Sequence, residues 1–508
     1  MNNAFPAYFP VSICSTSFLR LINLWFGVGT FALVLCIFRL LHARLTTSLC
    51  IRALSIALLP TQAFFYSLYY TDAGSVFFVL LTYLLTLLHA RRPSDQPVVT
   101  PRSSLLAACI GASGALAVYF RQTNSVWVAL IAAQTLLRDY SLSALVTRGQ
   151  GRVYSELQSY GSALSVTYNM VVFALTHPLQ TAVRLAPLAT VLLGFVAFVA
   201  KNGGIAVGDK ENHAMSLHLM QFWYCAAFVC SALTPAALTP ALFEKIKRSL
   251  LRSRVTAIFA VVAVPAAVMC VRYGTVAHPF LLADNRHLPF YVWRRLLNVH
   301  PWARYALVPV YVAAVCVMHA SLEVACAGGR VVQGVLSVDE GRKFGDTQNN
   351  QKMNQNNQIA QINQNNQIAQ INQNNQKNNQ INQKTQYNEK KMESERKMSE
   401  NTQTIPYLTI ATAPLSRIML YGCCAAALVP SPLIEPRYFA IPWIWVAMHQ
   451  PEPADFASEE KTSGWLGDVV CHTAGAFSAI VVNAAALFVF LFRPFVWVFL
   501  LIIIDLST

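Results

Sequence analysis

The stretch from Ala283 to Arg295 concentrates side chains that could bind an anionic group and support its transfer. It holds one acid, one amide, one histidine, three arginines and three aromatic residues. A carboxylate can deprotonate a sugar hydroxyl, and arginine or histidine can bind a phosphate leaving group through charge-assisted hydrogen bonds. Anchoring at a membrane interface would explain the aromatic residues but not the charged ones. We therefore treat Asp284 as a catalytic candidate and Asn285, Arg286 and His287 as substrate-binding candidates.

Acidic residues are scarce in the first 330 positions, where only nine occur, so those beside apolar blocks draw attention. Asp72 follows Tyr69-Tyr70-Thr71, and Asp209 lies in a short charged segment. Ionisable groups at the edge of a membrane bundle are costly unless they are paired or hydrated, which makes them functional candidates. Asp72 is thus a second catalytic candidate, with Tyr70 and Asp209 as binding candidates. The alternative for Asp72 is an N-cap of a helix that starts near Gly74.

Two further polar segments lie between apolar blocks. Arg121-Gln122-Thr123-Asn124 separates two of these blocks, and Glu435-Pro436-Arg437 precedes another. The arginines could bind phosphate, but Arg121 could instead extend to the interface, and Arg437 could simply pair with Glu435 at the surface. The candidate binding residues from these segments are Arg121, Gln122, Asn124, Glu435 and Arg437.

The elements that must position these residues are membrane helices. The 508 residues are 55% hydrophobic and only 12% charged, with a mean hydropathy of +0.43, which leaves too little polar surface for a soluble protein of this size. Apolar helices of about 20 residues cross a bilayer with all backbone groups satisfied. We predict an all-α, polytopic transmembrane bundle of about 11–14 spans. The expected spans are 21–38, 53–69, 74–89, 104–119, 124–137, 184–200, 217–241, 255–271, 304–322, 407–429 and 473–492, and 161–176, 436–449 and 495–504 are ambiguous.

Positive charge falls in short runs after alternate spans rather than on one continuous face, so the net charge of +15 indicates cytosolic loops and not nucleic-acid binding. If these basic loops are cytosolic and 161–176 lies along the interface, the polar candidate loops all fall on the opposite, lumenal side. The candidates would then share one face of the membrane.

Residues 331–403 differ from the rest of the chain, because they contain Asn/Gln-rich nonapeptide repeats and few apolar residues. Such a tract has too little apolar area to offset the entropy of ordering, so we predict a disordered cytosolic insert. The predicted organisation is therefore an N-terminal transmembrane bundle at 1–330, the insert at 331–403, and C-terminal transmembrane helices at 404–508.

Several common kinds of site do not match the sequence. It has no Gly-rich phosphate loop of the P-loop type and no dinucleotide-binding glycine motif, so a donor nucleotide in a soluble domain is not expected. Cysteine and histidine residues show no metal-ligand spacing, and we expect neither a metal nor another cofactor. No inverted repeat with paired broken helices supports a secondary transporter.

A series of short motifs follows the polar segments along the chain. In order they are Leu19-Arg20-Leu21-Ile22-Asn23, Tyr69-Tyr70-Thr71-Asp72, Phe120-Arg121-Gln122-Thr123-Asn124, Asn202-Gly203-Gly204-Ile205, Val207-Gly208-Asp209, Leu281-Leu282-Ala283-Asp284-Asn285-Arg286-His287, Phe290-Tyr291-Val292-Trp293 and Glu435-Pro436-Arg437-Tyr438-Phe439. Their order and spacing resemble those of the family of dolichyl-phosphate-glucose-dependent alpha-1,2-glucosyltransferases. The resemblance runs from about residue 15 to 449, apart from the insert, and it also identifies His218 and His278 as binding candidates.

The resemblance implies an inverting glycosyltransferase of the C superfamily, multi-pass in the endoplasmic reticulum membrane. Such an enzyme transfers the third, terminal glucose from dolichyl phosphate glucose to the diglucosylated dolichyl-diphosphate-linked oligosaccharide in the lumen, for protein N-glycosylation. The implied partners are these two lipid-linked substrates and membrane lipid, with no nucleic acid. The lipid donor serves as substrate, so no cofactor is implied.

One departure from the family pattern concerns the N-terminus. Relatives carry an acidic Met-Asp-Glu-type motif before the Leu-Arg-Leu-Ile-Asn element, whereas Met1 to Cys14 contains no Asp or Glu. We expect that the sequence begins at an internal Met of a longer protein. The alternatives are a catalytically inactive membrane interaction protein of the same fold, and a lipid or solute carrier.

Overall fold

The computed structural model of the protein describes residues 15–42, 45–90, 100–148, 150–205, 207, 215–237, 240–283, 288–342, 407–451 and 465–492. Within these ranges the chain is helical and contains no β-strand. The expected all-α class is thereby confirmed.

The first half of the bundle runs through helices joined by short turns. Ser15, Thr46 and Thr100 cap three of them, each accepting a bond from the backbone N–H three residues later. The bounds are α1 Thr16–Leu41, α2 Thr47–Ala57, α3 Pro60–Tyr66, α4 Asp72–Ala90, α5 Pro101–Phe120, α6 Asn124–Arg148, α7 Gln150–Leu157, α8 Ala163–Thr176 and α9 Pro178–Asn202.

The second half contains long helices and also short helical segments within the connections between them. A π-helical turn covers Trp293–Leu297, and a 3-10 turn covers Pro436–Phe439. The helices are α10 Met220–Ala237, α11 Pro240–Arg252, α12 Arg254–Tyr273, α13 Pro279–Ala283, α14 Leu288–Val292, α15 Ala303–Ala306, α16 Val308–Arg342, α17 Pro414–Leu428, α18 Ala440–Met448 and α19 Trp465–Phe492.

Six segments of the described chain are long and apolar enough to cross a membrane, which makes the protein a multi-pass membrane protein. Shorter apolar helices are Ala163–Thr176, Met220–Leu233, Pro414–Leu428 and Thr473–Ala486. The six long segments are Thr16–Leu41, Asp72–Ala90, Pro101–Phe120, Pro178–Asn202, Arg254–Tyr273 and Ala303–Cys326.

Three expected spans differ in detail from the structure. The block at 407–429 is interrupted after residue 411, and α17 starts at Pro414. The block at 53–69 is not one straight helix. Its two helices, α2 and α3, meet at an angle of 65°, as in a broken span or a re-entrant loop, and Pro60 opens the second helix without a backbone donor. The block at 217–241 starts later, at Met220, since the preceding backbone bonds to another segment instead of continuing the helix. The ambiguous segment 495–504 lies outside the described residues.

The bundle centres on α4, which packs against α1, α5 and α6 and is buried over most of its length. Helices on both sides of the insert pack together: α10 contacts α16, α18 and α19. α16 continues to Arg342, and the remainder of the predicted insert, 343–403, lies outside the described residues.

Candidate functional site

Asp72 lies between two arginines from distant parts of the chain. Nη2 of Arg121 is 2.9 Å from Oδ1 and 3.0 Å from Oδ2 of Asp72, and Nη1 of Arg437 is 3.5 Å from Oδ2. The Asp72 side chain is only 2% exposed, whereas those of Arg121 and Arg437 are 18% and 14% exposed. The carboxylate therefore holds two guanidinium groups together, and each keeps an edge open to the outside.

Aromatic rings surround these guanidinium groups. Arg437 lies over Tyr70 at 4.6 Å and over Phe65 and Tyr438 at 5.5 Å, and Arg121 lies over Tyr438 at 5.1 Å. A guanidinium plane stacks well on such rings, and its N–H groups remain available at the edge. The rings thus border both guanidinium groups, and the Arg121 side chain turns to Asp72 and Tyr438.

Glu435 extends the charged cluster toward the outside. Its carboxylate pairs with Nε of Arg437, so the predicted Glu435–Arg437 pair forms, but Arg437 reaches Asp72 as well. Burial by itself would lower the pKa of Arg437, and the carboxylates of Glu435 and Asp72 raise it above its usual range. The Glu435 side chain is 26% exposed and is the more accessible of the two carboxylates.

Local sequence explains how the ends of α4, α5 and α6 meet. The Asn23 amide donates to the carbonyls of Leu68 and Tyr70, which holds the loop before Asp72. Arg121 is the C-cap of α5 in an extended conformation, which turns its side chain away from the helix that precedes it. Asn124, at the start of α6, donates to Oγ of Ser75 and to the carbonyl of Ala117. Asparagine is thus used twice to satisfy backbone or hydroxyl groups where helices end.

The segment before α10 is hydrogen-bonded to the chain that follows α17. The backbone N–H of His218 donates to the Val429 carbonyl at 2.9 Å, and the Gln221 amide donates to the carbonyls of Ser431 and Leu433 at 3.2 and 2.6 Å. Burial lowers the pKa of His218 to about 4, so the ring is neutral at pH 7. These bonds position the loop that leads into Glu435.

The segment around 278–297 reaches the same loop. Leu281, Trp293 and Leu297 form an apolar cluster, and Ile434 packs against it. The end of α13 and the π-helical turn therefore pack beside the residue preceding Glu435.

The remaining predicted site residues occupy different environments. Tyr70 is 44% exposed, Gln122 and His278 are half-buried, and Asn124 is buried with its amide nitrogen already bonded. His278 lies just before α13, where its carbonyl accepts a bond from the Leu281 N–H. Asp209, Asp284, Asn285, Arg286 and His287 lie outside the described residues.

Sequence reasoning assigned no site role to four residues that hold this site together, although Asn23 and Tyr438 lie in motifs that match the family. Asn23 and Gln221 bond loop carbonyls, and Phe65 and Tyr438 support the guanidinium groups. The position of Tyr438 beside Arg437 was a usable signal. An isolated Asn or Gln inside an apolar block is also a signal, because a membrane interior gives an amide no water partner.

Metal ligands do not gather in the described part of the chain, where no group of three or more His, Cys, Asp or Glu side chains could hold an ion.

Comparison with known proteins agrees with the resemblance seen in the motifs. The sequence profile of the DIE2/ALG10 family matches residues 2–448. A mouse protein named Dol-P-Glc:Glc(2)Man(9)GlcNAc(2)-PP-Dol alpha-1,2-glucosyltransferase is 34% identical over 312 residues, covering 59% of this chain and 62% of that protein.

Proteins of the same name from Drosophila melanogaster and Yarrowia lipolytica are 31% and 27% identical over 320 and 449 residues. These matches cover 62% and 88% of this chain and 65% and 73% of the two relatives. The chain thus spans about three fifths of the length of the mouse relative. No solved structure matches the chain significantly. Because the profile covers most of the sequence, the chain belongs to the DIE2/ALG10 family.

Proposed function

We propose that this chain is an inverting alpha-1,2-glucosyltransferase of the endoplasmic reticulum membrane. Its donor would be dolichyl phosphate glucose and its acceptor the diglucosylated dolichyl-diphosphate-linked oligosaccharide. The observation that carries the proposal is the Asp72–Arg121–Arg437 cluster at one end of a membrane bundle, bordered by aromatic rings. The names of the relatives supply the substrates.

Arg121 and Arg437 are suited to bind the phosphate of the donor. Both guanidinium groups are bordered by aromatic rings and belong to partly exposed side chains, so they could bind a phosphate that gains charge as the glycosidic bond breaks. Asp72 and Glu435 already neutralise the two cations, so the phosphate would replace the exposed Glu435 on Arg437 rather than the buried Asp72.

Asp72 is better suited to position the arginines than to act as the base. Both oxygens of the Asp72 carboxylate lie within 3.0 Å of Nη2 of Arg121, and Oδ2 also lies 3.5 Å from Nη1 of Arg437, so neither oxygen is free to take a proton from an acceptor hydroxyl. Its 2% exposure also leaves little room for an acceptor hydroxyl. The proposed role of Asp72 is therefore that of a positioning residue.

The base that removes the proton from the acceptor 2-hydroxyl would lie nearby. In an inverting transfer, that oxygen attacks the anomeric carbon from the side opposite the departing phosphate, and the proton passes to the base. Asp284 is the sequence candidate, since its flanking elements pack against Ile434 next to Glu435. Orientation of the two lipid-linked substrates in line would supply much of the rate.

Expression of the chain in cells that lack this glucosyltransferase tests the proposal. Restored triglucosylated lipid-linked oligosaccharide, measured by mass spectrometry, is the expected result, and an Arg437→Ala variant should not restore it. If the wild-type chain reaches the membrane at normal abundance but leaves the diglucosylated species, it is instead a non-catalytic membrane protein of the same fold.

A further inference from the structure

Helix α11 carries an excess of positive charge on its exposed surface. Its 13 residues include four basic side chains and only one acid. That acid, Glu244, pairs with Lys247. Among the residues that the structure describes, Arg248 and Arg252 of α11 and Arg254 at the start of α12 form no ion pair, and all three are exposed. These guanidinium groups are therefore available to an anionic partner.

One face of α11 packs inside the bundle. Leu242, Ile246 and Leu250 are spaced four residues apart and form a stripe along the helix. This stripe packs against Ala320 and Val324 of α16. The apolar face that anchors α11 to the bundle is therefore complete without any other residue of the helix.

Two large apolar side chains of α11 lie outside this packed stripe. Phe243 is 55% exposed and Leu251 is 77% exposed. Lys247 lies midway between them at four-residue spacing, so the three side chains share a second face, and Arg248 and Arg252 lie on the side of it that points away from the packed stripe. An exposed apolar strip bordered by basic residues is typical of a helix at a bilayer surface, with its apolar side chains among acyl chains and its cations at the headgroups.

The neighbouring spans place α11 beside such a surface. Ser253 alone separates it from α12, which is long and apolar enough to cross a membrane. The 20 residues of α12 extend about 30 Å, which matches the thickness of the hydrocarbon core, so Arg254 at its start lies near a membrane surface. On α16, the contacts with α11 at positions 320 and 324 come close to the end of the apolar segment Ala303–Cys326.

We propose that α11 is a binding surface for anionic phospholipids. Its exposed cations bind the headgroups, while Phe243 and Leu251 lie among the acyl chains. Charge complementarity favours this occupant, because four basic residues against one paired acid attract a negatively charged membrane surface. An anionic phospholipid meets both features of the surface, since one molecule carries the negative charge and the acyl chains.

This surface is separate from the arginine cluster. The first residues of α10 lie beside the 429–433 loop that leads into Glu435, and α11 begins after the opposite end of α10. The 18 residues of α10 extend about 27 Å. The lipid surface is thus a property of the chain beyond the proposed transfer reaction.

Photo-crosslinking in nanodiscs tests the preference for anionic lipid. The full-length chain is reconstituted in phosphatidylcholine with a minor fraction of a diazirine probe, which is either phosphatidylserine or phosphatidylcholine with the same acyl chains. We expect the phosphatidylserine probe to label residues 240–254 several-fold more than the phosphatidylcholine probe, and high salt to reduce this excess by screening the exposed charges. Equal labelling by the two probes would overturn the proposal.

Two matched triple variants locate the source of the preference. The first removes three positive charges from α11, and the second removes three from exposed positions elsewhere in the chain. They are Lys247→Gln/Arg248→Gln/Arg252→Gln and Arg39→Gln/Arg102→Gln/Arg152→Gln. All six side chains are exposed, so both variants should fold.

We expect the ratio of phosphatidylserine to phosphatidylcholine labelling at 240–254 to fall to about one in the α11 variant and to keep its wild-type value in the other. An equal fall in both variants would mean that the net charge of the chain attracts the lipid, and it would refute the site on α11.

A double variant tests the apolar contact. Phe243→Ser combined with Leu251→Ser should lower labelling by both probes, because the helix then lacks the side chains that lie among the acyl chains. Unchanged labelling would contradict this insertion. If neither probe labels wild-type α11 in nanodiscs, but residues 240–254 crosslink to another protein in microsomes, a protein partner covers the helix and the proposal fails.

Discussion

At the residue scale, the site depends on how charge is balanced around Asp72. Its carboxylate contacts Arg121 and Arg437, and Glu435 contacts Arg437 from the more exposed side. Burying like charges close together is unfavourable unless an opposite charge lies between them. Asp72 therefore allows two guanidinium groups to occupy a space in which a phosphate could bridge them.

Replacing Asp72 with Asn distinguishes a positioning role from a role as base. We expect Asp72→Asn to raise the donor KM by about tenfold and to lower the stability by about 3 kcal/mol, because two arginines lose their shared anion. The basic and acidic limbs of the pH–rate profile should stay where they are. Transfer kinetics and thermal unfolding in detergent measure both effects.

The control for this substitution is Glu244→Gln, which removes a carboxylate from an exposed pair with Lys247. It should leave the donor KM unchanged. An Asp72→Asn enzyme with an unchanged donor KM and a kcat that no longer depends on pH would mean that Asp72 is the base.

The buried His218 leads to a separate prediction about how the stability of the protein depends on pH. Burial lowers the pKa of His218 to about 4, while an unfolded chain titrates near 6.5, so the unfolded state binds more protons between these values. The free energy of unfolding therefore carries no penalty from His218 well above pH 6.5, and it decreases as the pH falls from 6.5 toward 4. Linkage predicts a loss of about 2 kcal/mol at pH 5.

Thermal unfolding of His218→Asn compared with the wild-type chain at pH 7 and pH 5 measures this contribution. The difference in melting temperature between the two pH values should be smaller in the variant. An equal pH dependence in both proteins would show that other groups titrate instead.

At the element scale, the close approach of α4 and α5 sets the position of Arg121. A Cβ atom added at Gly74 would lie 2.3 Å from Cε1 of the Phe120 ring, the residue immediately before Arg121. Only glycine fits this contact without movement of the ring or of the end of α5. Gly74 therefore affects both the packing of α4 against α5 and the position of Arg121 in the site.

Gly74→Ala should displace the end of α5 and shift Arg121 away from Asp72. We expect transfer activity to fall by about tenfold or more and the free energy of unfolding to fall by about 1–3 kcal/mol. Gly422→Ala is the control, since a Cβ on that helical glycine would meet nothing within 4 Å. It should be neutral or slightly stabilising.

Combining Gly74→Ala with Phe120→Leu tests the cause. The smaller side chain should restore part of the lost activity, because it relieves the contact with the new methyl group. If Gly74→Ala alone is as active as the wild-type chain, the ring moves freely and does not control Arg121.

At the scale of the whole molecule, the polar loops that the structure describes at Arg121 and Arg437 meet at Asp72. Asp72 joins the loop at Arg121 to the loop at Arg437, and Ile434 joins the latter to the 281–297 segment. The basic helix α11 follows α10, whose first residues lie beside the 429–433 loop. We therefore expect the arginine cluster and the end of α11 on opposite sides of the membrane.

Single added cysteines test this topology. Thr123→Cys and Arg252→Cys place thiols at exposed positions beside the cluster and at the end of α11. In sealed microsomes, a membrane-impermeant maleimide should label Arg252→Cys directly and Thr123→Cys only after permeabilisation. The unmodified chain measures the background of the native cysteines. Labelling of both in sealed vesicles would contradict the lumenal site.

The sequence by itself determined the helical membrane fold and the types of residue that could carry the chemistry. Apolar runs separated by basic loops predict membrane-spanning helices, because a helix in lipid satisfies the hydrogen bonds of its own backbone groups. The Arg121 and Arg437 motifs were likewise visible, as were Asp72 and the distinct composition of 331–403.

Only the tertiary structure decided which of these residues meet. The order of helices along the chain does not specify which ends are neighbours, so the shared contact of Asp72 with Arg121 and Arg437 was not readable from spacing. The contacts of the supporting Asn23 and Gln221 amides with loop carbonyls also depend on packing across helices. Packing selects among contacts that a hydrophobic pattern leaves equivalent.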